Sequence, residues 1–295
     1  MRSAVPFRTF GTLVLIGVSS ACDPGRADDA PRELPVLRLE ARDFTFAAPS
    51  RITGGLTRVR LVNHGPSWHE ALVTRLPEGV TPEAYLAEAR AGKAFPVGAL
   101  DMGGPGKVAA GDSSDVVLAL EPGRYAIVCW SDDHVKAGML SAVVISVGDS
   151  AVANNETGGA TTSASTPLAT SGAPAPTGDV RLEDFKIVHD SGTYRPGANV
   201  LRVQNTGQRP HDLTFYRLAD GKSARDFGVW YATREGPAPA VPVGGIVTLA
   251  PGREGLVELD LPPGRYFAGC GTPEDGPNGV TLHIRMGMVE VFEIK

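Results

Sequence analysis

The chain predicts an all-β fold built from two antiparallel sandwiches or barrels in tandem. Three observations carry that prediction. The 295 residues include 36 glycines and 24 prolines, a density that suits many turns and short strands rather than long helices. The apolar runs are short, alternate or are nearly continuous, and are bounded by Gly, Pro, Asn and Asp, as in Arg58-Val59-Arg60-Leu61-Val62 and Asp115-Val116-Val117-Leu118-Ala119-Leu120. The whole plan then recurs at an offset of about 142 residues, a copied unit large enough to bury its own core.

Residues 1–21 read as an export signal, with Arg2 and Arg8 ahead of the apolar run Phe10 to Val18 and small residues before Cys22. Cys22 suits lipidation as the mature N-terminus, although Ser19-x-Ala21 also suits ordinary signal cleavage. Residues 22–35 are polar and form a tether. The first domain, residues 36–148, runs through strands expected at Val36–Glu40, Thr57–Asn63, His69–Leu76, Ser114–Leu120, Arg124–Cys129 and Met139–Val147. A helix interrupts them from Thr81 to Arg90, with Thr81 as N-cap, Pro82 at the first position and Gly92 as stop. It should lie as a lid, packing Tyr85 and Leu86 on the core. Residues 149–178 are Ala, Ser, Thr, Gly and Pro in bulk and read as a flexible linker, so the domains should be tethered rather than rigidly docked. The glycines at 54–55, 103–106 and 244–245 read as turns.

The second domain, residues 179–295, repeats the first. The segment Val62-Asn63-His64-Gly65-Pro66-Ser67-Trp68-His69 returns as Gln204-Asn205-Thr206-Gly207-Gln208-Arg209-Pro210-His211. The helix returns at Ser223 to about Thr233, Met102-Gly103-Gly104 as Val243-Gly244-Gly245, and Pro122-Gly123-Arg124-Tyr125 as Pro263-Gly264-Arg265-Tyr266. Cys129, His134 and Met139 match Cys270, His283 and Met288.

A net charge of −5, with acids and bases nearly balanced in each half, lacks the basic excess of a nucleic-acid binder. Apart from Cys22 each half holds one cysteine, so neither can close an internal disulfide. A bridge between halves or two inert thiols is the plain alternative; a metal-bound thiolate gives each cysteine a partner in its own domain. Cysteine, histidine and methionine follow one another from Cys129 to Met139, with His69 upstream. A thiolate, two imidazoles and a weak thioether form the donor set of a trigonal blue-copper site.

The stretch Tyr125 to Cys129 followed by His134-Val-Lys-Ala-Gly-Met139 resembles the copper loop of plastocyanin, and the four residues between Cys129 and His134 resemble azurin's spacing. Asn205-Thr-Gly-Gln-Arg-Pro-His211-Asp resembles the upstream histidine segment of the same cupredoxin family. The resemblance implies a Greek-key sandwich for each domain and one type 1 copper in each, held by His69, Cys129, His134 and Met139 and by His211, Cys270, His283 and Met288. Twelve residues separate Cys270 from His283, against two to four in that family, and ordering so long a loop costs entropy. Met286 competes with Met288 as axial donor.

Enzyme chemistries find little support. The six histidines include no His-x-His pair for a multicopper cluster, the cysteines are not flanked by histidine, and no G-x-S-x-G, P-loop or H-E-x-x-H pattern occurs. The expectation is an exported, lipid-anchored carrier passing single electrons between redox protein partners, with His134 as the exit. The alternatives are a non-redox Cu(I) carrier and a metal-free binding module at the cell surface.

Overall fold

The computed structural model of the chain describes residues 33–91, 98–146, 172–276 and 279–295. The export signal, Cys22, the Gly92 stop and most of the linker lie outside the described residues. Glu33 to Lys295 forms one compact unit.

The first half contains β1 (Val36–Arg42), β2 (Thr45–Ala47), β3 (Arg51–Thr53), β4 (Gly55–Asn63), β5 (Leu72–Arg75), β6 (Leu100–Asp101), β7 (Ser113–Leu120), β8 (Gly123–Val128) and β9 (Leu140–Ser146), with helix α1 (Pro82–Arg90) between β5 and β6. The second contains β10 (Gly178–Glu183), β11 (Lys186–His189), β12 (Gly197–Asn205), β13 (His211–Leu218), β14 (Ala240–Leu249), β15 (Glu254–Leu261), β16 (Gly264–Gly269), β17 (Pro273–Gly276), β18 (Gly279–Leu282) and β19 (Val289–Ile294), with α2 (Ala224–Thr233) between β13 and β14. Period-two alternation decides which side chains face inward. On β4, Thr57, Val59, Leu61 and Asn63 are buried; on β12 the same positions hold Asn199, Leu201, Val203 and Asn205. Each half is a β-sandwich with one inserted helix, the all-β class expected. Its inner layers are β3-β9-β8-β5-β6 and β14-β13-β16-β19.

Both helices begin where the sequence places them, each on a capping side chain. The Thr81 hydroxyl accepts from the Ala84 amide, and Ser223 and Asp226 form a reciprocal capping box. Tyr85 and Ala89 are buried and Leu86 packs beside them, so α1 is the lid expected.

The outer layers do not stay apart. They join into one eight-stranded sheet, β11-β10-β12-β15-β7-β4-β1-β2, through antiparallel pairing of β7 with β15. Val116 stands opposite Val257, and Pro105 opposite Ile246. In each pair a residue faces its own counterpart in the repeat, which places a local two-fold axis along the seam. The segment after β6 lies along β14: Gly106 donates to the Gly245 carbonyl at 2.9 Å and Val247 to the Gly104 carbonyl at 3.0 Å. The Arg58 guanidinium meets Glu258 across the seam at 2.6 Å, and Trp68 stacks on Phe227 and lies tilted against Trp230 of α2.

Two expectations are therefore corrected. The halves are docked through shared backbone hydrogen bonds rather than merely tethered; linker composition says nothing about the strand edges it connects. The glycines at 103–106 and 244–245 are close-approach positions rather than turns. A Cβ on Gly104 would lie 1.9 Å from the Ala71 oxygen, one on Gly245 2.0 Å from the Leu213 oxygen, and one on Gly106 2.7 Å from the Gly245 backbone.

Two candidate metal centres

Each centre is assembled at one end of an inner sheet by backbone pairing. In the first half, His69 bridges Val108 just before β5, and Cys129 follows the last residue of β8. The Cys129 amide donates to the Met139 carbonyl at 3.3 Å, and the Met139 amide donates to the His134 carbonyl at 3.0 Å. The loop before His69 is pinned by Asn63, whose amide nitrogen donates to the Ser67 carbonyl while its oxygen accepts from Gly65. Asn205 does the same for His211, donating to Arg209 and accepting from Gly207.

The resulting geometries nearly coincide. Cys129 Sγ lies 3.8 Å from His69 Nδ1 and 3.5 Å from His134 Nδ1, with 3.2 Å between the two nitrogens. In the second half the corresponding distances are 3.8, 3.4 and 3.1 Å. All three ligand atoms of each trio lie within 4.8 Å of one another, and all six residues are buried. Met139 and Met288 are fully buried, whereas Met286 is 42% exposed. Met288 thus occupies the place of Met139, and Met286 points to solvent.

The long second loop reaches the same geometry because most of it is a hairpin. Strands β17 and β18 pair from Pro273 opposite Leu282 to Gly276 opposite Gly279. His283 donates to the Thr272 carbonyl at 3.0 Å and Ile284 to the Cys270 carbonyl at 2.8 Å, closing its base. Ladder hydrogen bonds offset the ordering entropy that spacing alone would charge to the loop.

Two carboxylates escaped the sequence reading. Asp43 Oδ1 lies 2.6 Å from His69 Nε2, and Asp184 Oδ1 lies 3.1 Å from His211 Nε2. An imidazole anchored on one nitrogen presents the other in a fixed direction, here toward the cysteine sulfur. The next residues, Phe44 and Phe185, set ring edges against His134 and His283. The repeat carried the signal, since Asp43-Phe44 returns as Asp184-Phe185 at the same offset. The second centre adds Glu274 from the hairpin, 3.2 Å from His283 Nε2 and itself paired with Arg209 at 2.9 Å.

The electrostatics follow from burial and these partners. Burial opposes the charge on Asp43, but the Ser67 hydroxyl and the His69 ring hold its carboxyl below the usual range. Burial lowers His134, with His69 adding to the effect. Burial pushes the Cys129 thiol up to about 12, aided by Glu70 and resisted by the Glu70 and Ser131 amides; Cys270 is raised likewise, chiefly by burial. A buried sulfur that resists ionisation, ringed by two Nδ1 atoms and amide donors, is a donor set suited to a cation that binds as the proton leaves. Nitrogen and sulfur donors of this mixture fit copper better than a hard, oxygen-seeking ion.

No family model matches the chain, and no curated protein matches it. Among solved structures, the dithionite-reduced auracyanin of Roseiflexus castenholzii is 14% identical and covers 39% of this chain and 98% of its own, with a TM-score of 0.28. Auracyanin A of Chloroflexus aurantiacus, a blue copper protein, is 14% identical over 38% of this chain and 98% of its own, at 0.29. A blue copper oxidase from Nitrosomonas europaea is 15% identical over 89% of this chain and 86% of its own, at 0.25. Likeness this distant decides nothing about function, which rests on the two centres themselves.

Proposed function

We propose that the chain is an exported, lipid-anchored copper protein of the cupredoxin-like kind that carries single electrons, with one copper in each half. The observation that carries this reading is the convergence, twice, of buried Nδ1, Nδ1 and Sγ atoms within 4.8 Å, each with a buried methionine tied by backbone hydrogen bonds to the cysteine and second histidine. Copper bound there supplies a one-electron couple whose reduced form thiolate and thioether favour. The chain's own groups do the rest. Asp43 and Asp184 fix the histidine orientation, the Glu70 and Asp212 amides point at the sulfurs, and burial excludes water. On this reading the chain is a carrier of electrons.

The centres differ in outlook. His134 retains 5% exposure, whereas His69, His211 and His283 retain none, and the Glu274 hairpin covers His283. Electron exchange with a redox protein partner therefore belongs to the His134 face.

The test is copper loading of the purified chain. Two equivalents should bind and give an intense visible thiolate-to-copper absorption. Cys129→Ala and Cys270→Ala should each remove one equivalent and part of the band. A colourless protein, or copper content indifferent to both substitutions, would overturn the reading.

A further inference from the structure

A cavity of about 580 Å³ lies on the seam between the two centres. Both halves reach it, although the second supplies most of the wall. Glu70 faces it from the residue after His69, and Asp212 from the residue after His211. Trp130 enters from the position after Cys129, and Gly271 from the position after Cys270. Each centre is thus one peptide bond from the same space on both its histidine and its cysteine side. The volume suits a small organic molecule.

Its chemistry narrows the occupant. Trp130, Tyr216, Phe227 and Tyr231 supply aromatic walls, which suit a flat ring. Glu70 and Asp212 are acceptors on opposite sides of the local axis, and Lys107 lies 3.9 Å from Glu70. Asp212 already accepts from the Gly271 amide and the Thr272 hydroxyl, which aims it. An aromatic ring that carries hydroxyl groups suits such walls and can donate to these acceptors.

We propose that the cavity binds a small hydroquinone and is where electrons enter the chain, one to each centre; this rests on the copper reading above. The balance is closed: the hydroquinone loses two electrons and two protons and leaves as the quinone. The two O–H bonds break, the protons pass to water, and each of two Cu(II) ions is reduced to Cu(I). One molecule empties both centres' oxidising capacity, which a carrier with a single centre cannot do.

Gly228 on α2 lines the cavity and has open space where a Cβ would go, so Gly228→Trp plugs it without touching any proposed ligand. Thr248→Phe plugs it from the opposite strand. Methylhydroquinone titrated into the copper-free protein should quench tryptophan fluorescence saturably, and both variants should weaken that binding at least tenfold. In the copper-loaded wild type, one equivalent should bleach both centres. In the variants that bleaching should slow at least tenfold, while bleaching by ascorbate and the resting spectrum stay unchanged. Absence of saturable quenching in the copper-free wild type, or bleaching by methylhydroquinone at the wild-type rate in folded variants, would overturn the proposal. A chain that never develops the thiolate band on copper loading, yet shows saturable quenching when copper-free, would instead overturn the copper reading and leave the binding site standing.

Discussion

At Asp43 a carboxylate accepts from the Ser67 hydroxyl at 2.5 Å and holds His69. Asp43→Ala should therefore lower copper affinity of the first centre by about 10- to 100-fold, read by competition with a chelator, while the second centre keeps its affinity. Gly65→Ala should reproduce much of that loss, because a Cβ there would lie 2.3 Å from Asp43 Oδ1 and 2.9 Å from His69 Nε2. Away from the centres, Asp101 is buried, and burial pushes its carboxyl up to about 6 against the donated Thr74 hydroxyl. The unfolded chain releases that proton at about pH 4. The folded chain holds the proton between those values, so the Asp101 contribution is whole below about pH 4 and is lost as pH rises through about 6. Asp101→Asn should remove this component, flattening the pH dependence of urea unfolding by at most about 3 kcal/mol. An unchanged profile would show that Asp101 titrates normally.

At the scale of elements, the β17–β18 hairpin and helix α2 distinguish the second half from the first. Glu274 on the hairpin is a negative charge against His283, which favours the more positive oxidation state. Glu274→Gln should raise the reduction potential of the second centre, with the first unmoved. Protein-film voltammetry resolves the two. Helix α2 packs its own half and also receives Trp68, whose ring lies 5.3 Å from Trp230. Trp68→Ala should cost about 2 kcal/mol of stability in urea unfolding, although Trp68 belongs to the other half.

The same elements show what could be read from sequence. The longer strands, both helices and the order of His, Cys, His and Met were legible because burial imposes period two, caps need particular side chains, and the repeat shows each pattern twice; the short strands β2, β3 and β6 carry too few residues to show a period. The second loop looked too long because spacing counts residues and not the hydrogen bonds among them; its Asp275-Gly276-Pro277-Asn278-Gly279 run is itself a turn signal. The seam was hidden for a different reason. Alternation on β7 and β15 says which faces are buried, but an edge pairs through backbone groups that every residue carries.

Across the whole molecule, one buried cluster runs from Leu37 to Ile294 through both halves, and the outer sheet is shared. Two tethered domains would melt separately; a molecule sharing sheet and core should unfold as one cooperative unit. Calorimetry of the copper-free chain should give one transition with equal calorimetric and van't Hoff enthalpies, and two resolved transitions would refute this.

Pairing Val116 with Val257, each the other's counterpart, gives the halves edges that are complementary to each other and, through the repeat, nearly to themselves. The first half of one molecule can then accept the second half of a neighbour in place of its own. Covalent connection favours the internal partner only up to the effective concentration that the connection imposes. Refolding above that concentration should yield exchanged dimers of twice the mass, with every strand pair intact but shared between chains.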